Sequence, residues 1–373
     1  MSEMTALIRR HIREMAPYQP IEPVDVLAKK LGLAEAQIIK LDANENPYGL
    51  LPEIEQTLQN LRYVHQYPDP ESRALRRALA EYHHLSAEHF LVGAGADELI
   101  DLVTRLFLGP GDGIIHCPPT FGMYAFDAQL QGARIISVPR KPDFSLDLPA
   151  IRAAVLKHQP RIIFVASPNN PDGQWVPPGV LQQLLELPLM VVVDEAYVEF
   201  AHAFKGYLHQ VPLHDNLIVL RTFSKWAGLA GIRLGYGAFP RKLLPYLWKI
   251  KQPYNVSVAA TSVGIAALKQ ADKLHALAAK IRCDRDKLMA SLQRFRWLRP
   301  YPSEANFILC RVAEPPGAGA LKQHLALRGI FVRYFQTPEL QDCIRITVGT
   351  PEQNEILLQH LQEFYVPNPG VES

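Results

Sequence analysis

Cysteine is scarce in this chain of 373 residues, charge of one sign is not in excess, and no apolar run is long. The four cysteines, Cys117, Cys283, Cys310 and Cys343, are widely spaced, with no Cys-x-x-Cys pair and no histidine at a ligand-like offset. That spacing argues against both a zinc site and a disulfide framework, and the four read as buried or semi-buried thiols. The formal net charge is +2, with no basic run or basic domain, so neither nucleic acid nor an anionic membrane surface is an expected partner. No apolar stretch approaches the roughly 18 residues of a membrane span. Met1 to Arg13 mixes acids with bases and has no continuous apolar centre, unlike a secretory signal, so the expected location is the reducing cytoplasm. What remains is an ordinary globular composition, 48% hydrophobic and 20% charged, with length for two domains and a sizeable core.

Short apolar strands alternate with amphipathic helices along the first two thirds of the chain. Segments 90–92, 113–116, 134–138, 161–165, 190–193 and 217–220 read as strands buried on both faces, and Glu98 to Leu108 and Pro178 to Leu187 have helical spacing. This predicts a mostly parallel sheet covered by helices. From about Pro253 the texture changes to a long Ala- and Leu-rich helical stretch, 258–295, followed by strands near 306–309, 330–333 and 344–348. A separate α+β domain at the C-terminus is the simplest account. The division expected is an N-terminal arm with part of the small domain (1–40), a large domain (41–270) and a C-terminal small domain (271–373).

Ligands of open α/β sheets sit at the carboxyl ends of the parallel strands, so the residues there deserve the chemical reading. Strand 90–92 runs into Gly93-Ala94-Gly95-Ala96-Asp97-Glu98, a glycine turn and helix start whose free amides suit a phosphate, or a plain capping turn. After strand 113–116 comes Pro118-Pro119-Thr120-Phe121-Gly122-Met123-Tyr124, where an aromatic could stack on a flat ring or fill core. Strand 161–165 ends in Ser167-Pro168-Asn169-Asn170-Pro171-Asp172-Gly173, a rigid polar turn. Strand 190–193 ends in Asp194-Glu195-Ala196-Tyr197. An aspartate straight after four apolar residues needs a cationic partner, such as a protonated pyridine nitrogen, or else caps the next helix. Finally Thr222-Phe223-Ser224-Lys225 follows strand 217–220, with Arg233 eight residues further on. A lysine near a second cation in a desolvated pocket has a depressed pKa and a nucleophilic neutral amine, although an isolated Ser-Lys pair is equally compatible with a solvated loop.

Taken in order, these segments resemble those of the fold type I pyridoxal-phosphate aminotransferases over essentially the whole chain. The histidinol-phosphate aminotransferase group is the closer resemblance, through Leu41-Asp42-Ala43-Asn44-Glu45-Asn46-Pro47-Tyr48-Gly49, Tyr67-Pro68, segment 119–124, Asp194-Glu195-Ala196-Tyr197, Arg221 to Lys225 and Ile344 to Thr350. The resemblance implies a large, mostly parallel seven-stranded sheet domain, a smaller α+β domain and pyridoxal 5'-phosphate as cofactor. It further implies that Lys225 carries the cofactor and shuttles a proton, and that Asp194 keeps the pyridine nitrogen protonated. Tyr197 and Asn170 would hold the phenolic oxygen, and Phe121 would stack on the ring. Gly95, Ala96, Asp97, Thr222, Ser224 and Arg233 would hold the phosphate. Tyr67 would reach the cofactor of a second subunit, giving a homodimer with shared active sites.

For the substrate, the resemblance points to Arg345 and to a second anion site formed by Arg333 and Tyr18, with Asn44 lining the pocket. The expected reaction exchanges an amino group between L-histidinol phosphate and 2-oxoglutarate, with threonine-phosphate decarboxylation or aromatic transamination as alternatives, and a non-catalytic cofactor-binding protein as an alternative of another class. Two positions depart from the pattern. Asp172 stands where threonine is usual and is expected to face solvent, and Phe121 replaces a frequent tyrosine.

Overall fold

The computed structural model describes residues 3–18, 20–203 and 206–364. The remaining residues of the expected arm (1, 2 and 19) and C-terminal domain (365–373) lie outside this description. The strands, in chain order, are β1 (Ile39–Leu41), β2 (Phe90–Gly93), β3 (Gly113–His116), β4 (Arg134–Ser137), β5 (Ile162–Ala166), β6 (Met190–Asp194), β7 (Leu217–Thr222), β8 (Gly235–Ala238), β9 (Leu298–Pro300), β10 (Phe307–Val312), β11 (Ile330–Tyr334) and β12 (Cys343–Thr347). Seven of them form one sheet in the order β2-β8-β7-β6-β5-β3-β4. The pairs β3/β4, β3/β5, β5/β6 and β6/β7 are parallel, and β8 runs antiparallel to both neighbours.

Alternation along the strands divides the core into two layers. Ile163, Val165, Val191, Val193 and Val219 point into one, and Ile162, Phe164, Val192, Ile218 and Leu220 into the other. Covering both faces removes each central strand from water, which is why these segments read as unbroken apolar runs. The exception is β4. It lies at one edge of the sheet, and Arg134 and Ser137 are exposed, so the expectation of burial on both faces fails there. Strand β8 has no apolar run to announce it, because two of its four residues are glycine. Both are needed for close approach: a Cβ on Gly235 would meet the Ala96 amide nitrogen at 2.4 Å, and one on Gly237 would meet the Phe239 ring at 2.7 Å.

A second sheet has the order β1-β11-β12-β10-β9, antiparallel except for the β1/β11 pair. Strand β1 therefore ties the early chain to a sheet otherwise built from the last quarter, and Asp42-Ala43-Asn44 leave it directly toward the larger sheet. Four helices matter below or bear on the reading above: α1 (Ala96–Phe107), α2 (Met123–Leu130), α3 (Val258–Lys269) and α4 (Ala271–Leu292). The long helical stretch is thus two helices parted at Gln270, not one. Cys117, Cys310 and Cys343 are buried, whereas Cys283 is exposed on the solvent side of α4, correcting its assignment as a semi-buried thiol. Among the described residues no helix is long and apolar enough to cross a membrane.

Candidate active site

The carboxyl ends of β2, β5, β6 and β7 converge on one cavity of about 160 Å³. One of its ends is built to hold an anion. Gly95, at φ +87°, turns the chain from β2 into α1, leaving the first amides of a 12-residue helix free of intrahelical partners. The glycine is obligatory: a Cβ there would sit 2.7 Å from Arg233 Nη2. Arg233 itself adopts φ +56° and donates to Asp97 Oδ2 at 2.8 Å and to the Ala230 carbonyl at 3.2 Å. The Thr222 hydroxyl lies 2.9 Å from Ser224 Oγ and accepts from the Ser224 amide at 3.1 Å. Amides, two hydroxyls and a guanidinium thus surround a space bounded by a bare glycine.

The other end holds a carboxylate. Asp194 is buried at the tip of β6, where desolvation pushes its pKa up to about 6. Tyr124, on the first turn of α2, opposes that shift by donating to Asp194 Oδ2 at 2.7 Å, and the Ala196 amide donates to Oδ1 at 3.0 Å. The Ala196 bond is a local turn and not the helix cap that the sequence allowed, since the next helical turn starts from Tyr197; the carboxylate lines the cavity, where a cation would complete it.

Lys225 follows β7 and reaches across the cavity to donate to the Ala43 carbonyl at 3.1 Å. Burial, reinforced by the Arg345 cation, lowers its pKa to about 8. The amine also lines a second, larger space of about 470 Å³ that opens between the two sheets. Phe121, Asn170, Tyr197 and Lys225 border both spaces, whereas Tyr18, Asn44, Arg333 and Arg345 border only the second. Arg345, buried on β12, donates to Asn170 Oδ1 at 2.5 Å and to the Asp42 carbonyl at 2.7 Å. Burial lowers its pKa to about 10. Asn44 Nδ2 donates to the Tyr197 hydroxyl at 3.0 Å.

The site therefore offers an amine poised near neutrality between an anion cradle and a cationic pocket, with an aromatic ring on one wall. Residues 36–361 match the family of aminotransferases of class I and II. The chain belongs to this family. Among relatives of this aminotransferase, the chloroplastic histidinol-phosphate aminotransferase of Nicotiana tabacum is 50% identical over 360 residues, 96% of this chain and 87% of that protein. The histidinol-phosphate aminotransferase of Roseiflexus castenholzii is 46% identical over 369 residues, 97% and 99% of the two chains. The crystal structure of histidinol-phosphate aminotransferase from Sinorhizobium meliloti in complex with pyridoxal-5'-phosphate superposes with a TM-score of 0.87 at 28% identity, covering 97% of this chain and 98% of that one.

In this aminotransferase the fold brings together almost all of the residues singled out from sequence. Tyr67 is the exception. It is 84% exposed, packs its ring 4.8 Å from that of Tyr254 and lines neither space. Asp172 does not face solvent as expected. The turn folds back so that the carboxylate is fully buried, accepting from Asn169 Nδ2 and, at 2.9 Å, from the Gln174 amide. Asn169 in turn accepts from the Thr120 hydroxyl at 2.7 Å, so the acid braces the turn beside Phe121. Sequence reasoning gave no role to Tyr124, which holds Asp194, or to Thr347, which holds Asn44. An aromatic next to the stacking position was the available signal for Tyr124. Nothing local marked Thr347.

Proposed function

We propose that the chain transfers an amino group between L-histidinol phosphate and 2-oxoglutarate, giving imidazole-acetol phosphate and L-glutamate, as a step of histidine biosynthesis in the cytoplasm. The observation carrying this reading is the position of Lys225 on the wall common to two spaces, one ending in an anion cradle and a buried carboxylate, the other lined by two arginines. Pyridoxal phosphate fits the first space on chemistry and on shape. The bare Cα of Gly95 leaves room for a phosphate beside Arg233, and Asp194 lacks a cation that a protonated pyridine nitrogen would supply. When bound there it supplies an electron sink for the substrate's α-carbon.

The protein's own residues divide the remaining work. Lys225 holds the cofactor and, with its lowered pKa, accepts and returns a proton at Nζ. Asp194 balances the ring nitrogen, Tyr197 and Asn170 address the phenolic oxygen, and Phe121 covers one ring face. Gly95, Ala96, Asp97, Thr222, Ser224 and Arg233 grip the phosphate. In the second space Arg345 and Arg333, with Tyr18 and Asn44, bind the anionic substrate groups; a planar guanidinium matches both carboxylate and phosphate. The exposed Tyr67 reaches the cofactor of a second copy in a homodimer. In the proposed domains, 41–270 carries the cofactor and supplies Asn44 to the substrate, while 271–373 supplies Arg333 and Arg345 and the 1–40 arm supplies Tyr18.

A substrate panel tests this. Purified protein is incubated with 2-oxoglutarate and, separately, L-histidinol phosphate, L-threonine phosphate and an aromatic amino acid, with glutamate and carbon dioxide measured. Glutamate formed fastest from histidinol phosphate is expected. Undetectable turnover of that amine, or carbon dioxide released from threonine phosphate, would overturn the assignment.

A further inference from the structure

Thr347 ends β12, two residues after Arg345, and is buried between the two sheets. Its hydroxyl makes two contacts with one residue: it accepts from the Asn44 backbone amide at 3.0 Å and lies 3.1 Å from Asn44 Oδ1. A backbone N–H can only donate, so the threonine oxygen accepts there, and its single proton is directed to Oδ1. In this arrangement the threonine proton holds the carbonyl end of the Asn44 side-chain amide. With the carbonyl oxygen facing Thr347, the amide nitrogen faces Tyr197 and donates to its hydroxyl at 3.0 Å. A tyrosine oxygen that receives such a donor keeps its own proton for another acceptor.

The rest of the surroundings restrict the alternatives. Asn44 is held at φ +54°, and Asn306 Nδ2 donates to its carbonyl at 3.1 Å. The Tyr197 ring stands edge-on to Phe307, the strand partner of Thr347, with centroids 5.0 Å apart. We propose that Thr347 is a positioning residue which, through Asn44, aims the Tyr197 proton into the cofactor cavity. The relay runs from the smaller sheet to the larger, so the seating of one sheet on the other sets the direction of a hydrogen bond at the reacting ring. This rests on the reading that the first space takes pyridoxal phosphate.

The test compares Thr347→Val, which keeps the shape and loses the proton, with Thr347→Ser, which keeps the hydroxyl. The readout is the pH titration of the visible band, near about 420 nm, of protein loaded with pyridoxal phosphate. A donor to the phenolic oxygen draws charge from it, so losing that donor lets the neighbouring nitrogen hold its proton to higher pH. Thr347→Val should move the titration midpoint up by about 0.5 pH or more, and Thr347→Ser should restore it. In a Tyr197→Phe background the valine substitution should have no further effect. An unmoved midpoint in Thr347→Val, or a shift that persists without the tyrosine hydroxyl, would overturn the relay. If Thr347→Val does not fold, Thr347→Cys, with its weaker donor and acceptor, takes its place with the same expectations. Absence of any visible band from the loaded wild-type protein would count against the cofactor reading itself, and the relay would fall with it.

Discussion

The hydroxyl of Tyr124 donates to Asp194 Oδ2 at 2.7 Å while its ring lies parallel to that of Phe164, centroids 4.9 Å apart. An aromatic of α2 is thereby locked between β5 and the one carboxylate at the floor of the cavity. This bond opposes the desolvation that raises the pKa of Asp194 to about 6. Tyr124→Phe keeps the stack and removes the donor, so the aspartate should hold its proton to higher pH and lose its ability to balance a ring cation. Cofactor affinity should fall about three- to tenfold, roughly 1 kcal/mol. The loss should be larger at pH 6 than at pH 8 in a spectrophotometric binding titration; an equal loss at both would contradict the role given to the bond.

Lys225 has the opposite linkage. Its pKa is about 8 in the fold against about 10.4 for an unhindered lysine, so between those values the unfolded chain binds more protons and stability rises with pH. Below pH 8 the buried amine costs its full amount. Lys225→Met should therefore stabilise the cofactor-free protein by about 1–3 kcal/mol at pH 7, and the gain should fade toward pH 10. Urea unfolding at the two pH values measures the difference.

Gly95→Ala places a methyl group 2.7 Å from Arg233 Nη2 at a φ of +87°. The arginine must move from the anion cradle or the turn must open. Either should weaken binding of pyridoxal phosphate about tenfold or more, equivalent to about 1.4 kcal/mol. Affinity for pyridoxal without its phosphate should change far less, and equal losses for the two would place the damage elsewhere.

Asp172→Ala should leave the Gln174 amide without an acceptor and the Asn169 side-chain amide with only the Pro119 carbonyl, around a carboxylate that is fully buried. A destabilisation of about 1–3 kcal/mol is expected in chemical denaturation. A solvent-facing acid would cost less than about 0.5 kcal/mol, so the measurement separates the buried reading from the one the sequence suggested.

Much of the larger sheet was legible because a doubly covered strand must be apolar at every position, and a polar residue straight after such a run marks its carboxyl end. Asp194, Asn170 and Lys225 were found in this way. Strand β8 was not, since its glycines serve close approach to Ala96 and Phe239, a contact between segments more than 130 residues apart in one case. The same limit hid Thr347, which meets Asn44 from 303 residues away.

By itself the amino-acid sequence determined many of the local elements and the order of polar groups at the strand ends, while the grouping of a lysine, an aspartate and two arginines came from its resemblance to a known family. Periodicity and turn chemistry act over a few residues, and they survive in the linear text. Only the tertiary structure decided which way the Asn44 amide faces, that Asp172 is buried, that Tyr124 holds Asp194, and that Lys225 is lowered to about 8. Each of those depends on desolvation and on a partner brought in from a distant strand, and neither exists until the two sheets have packed.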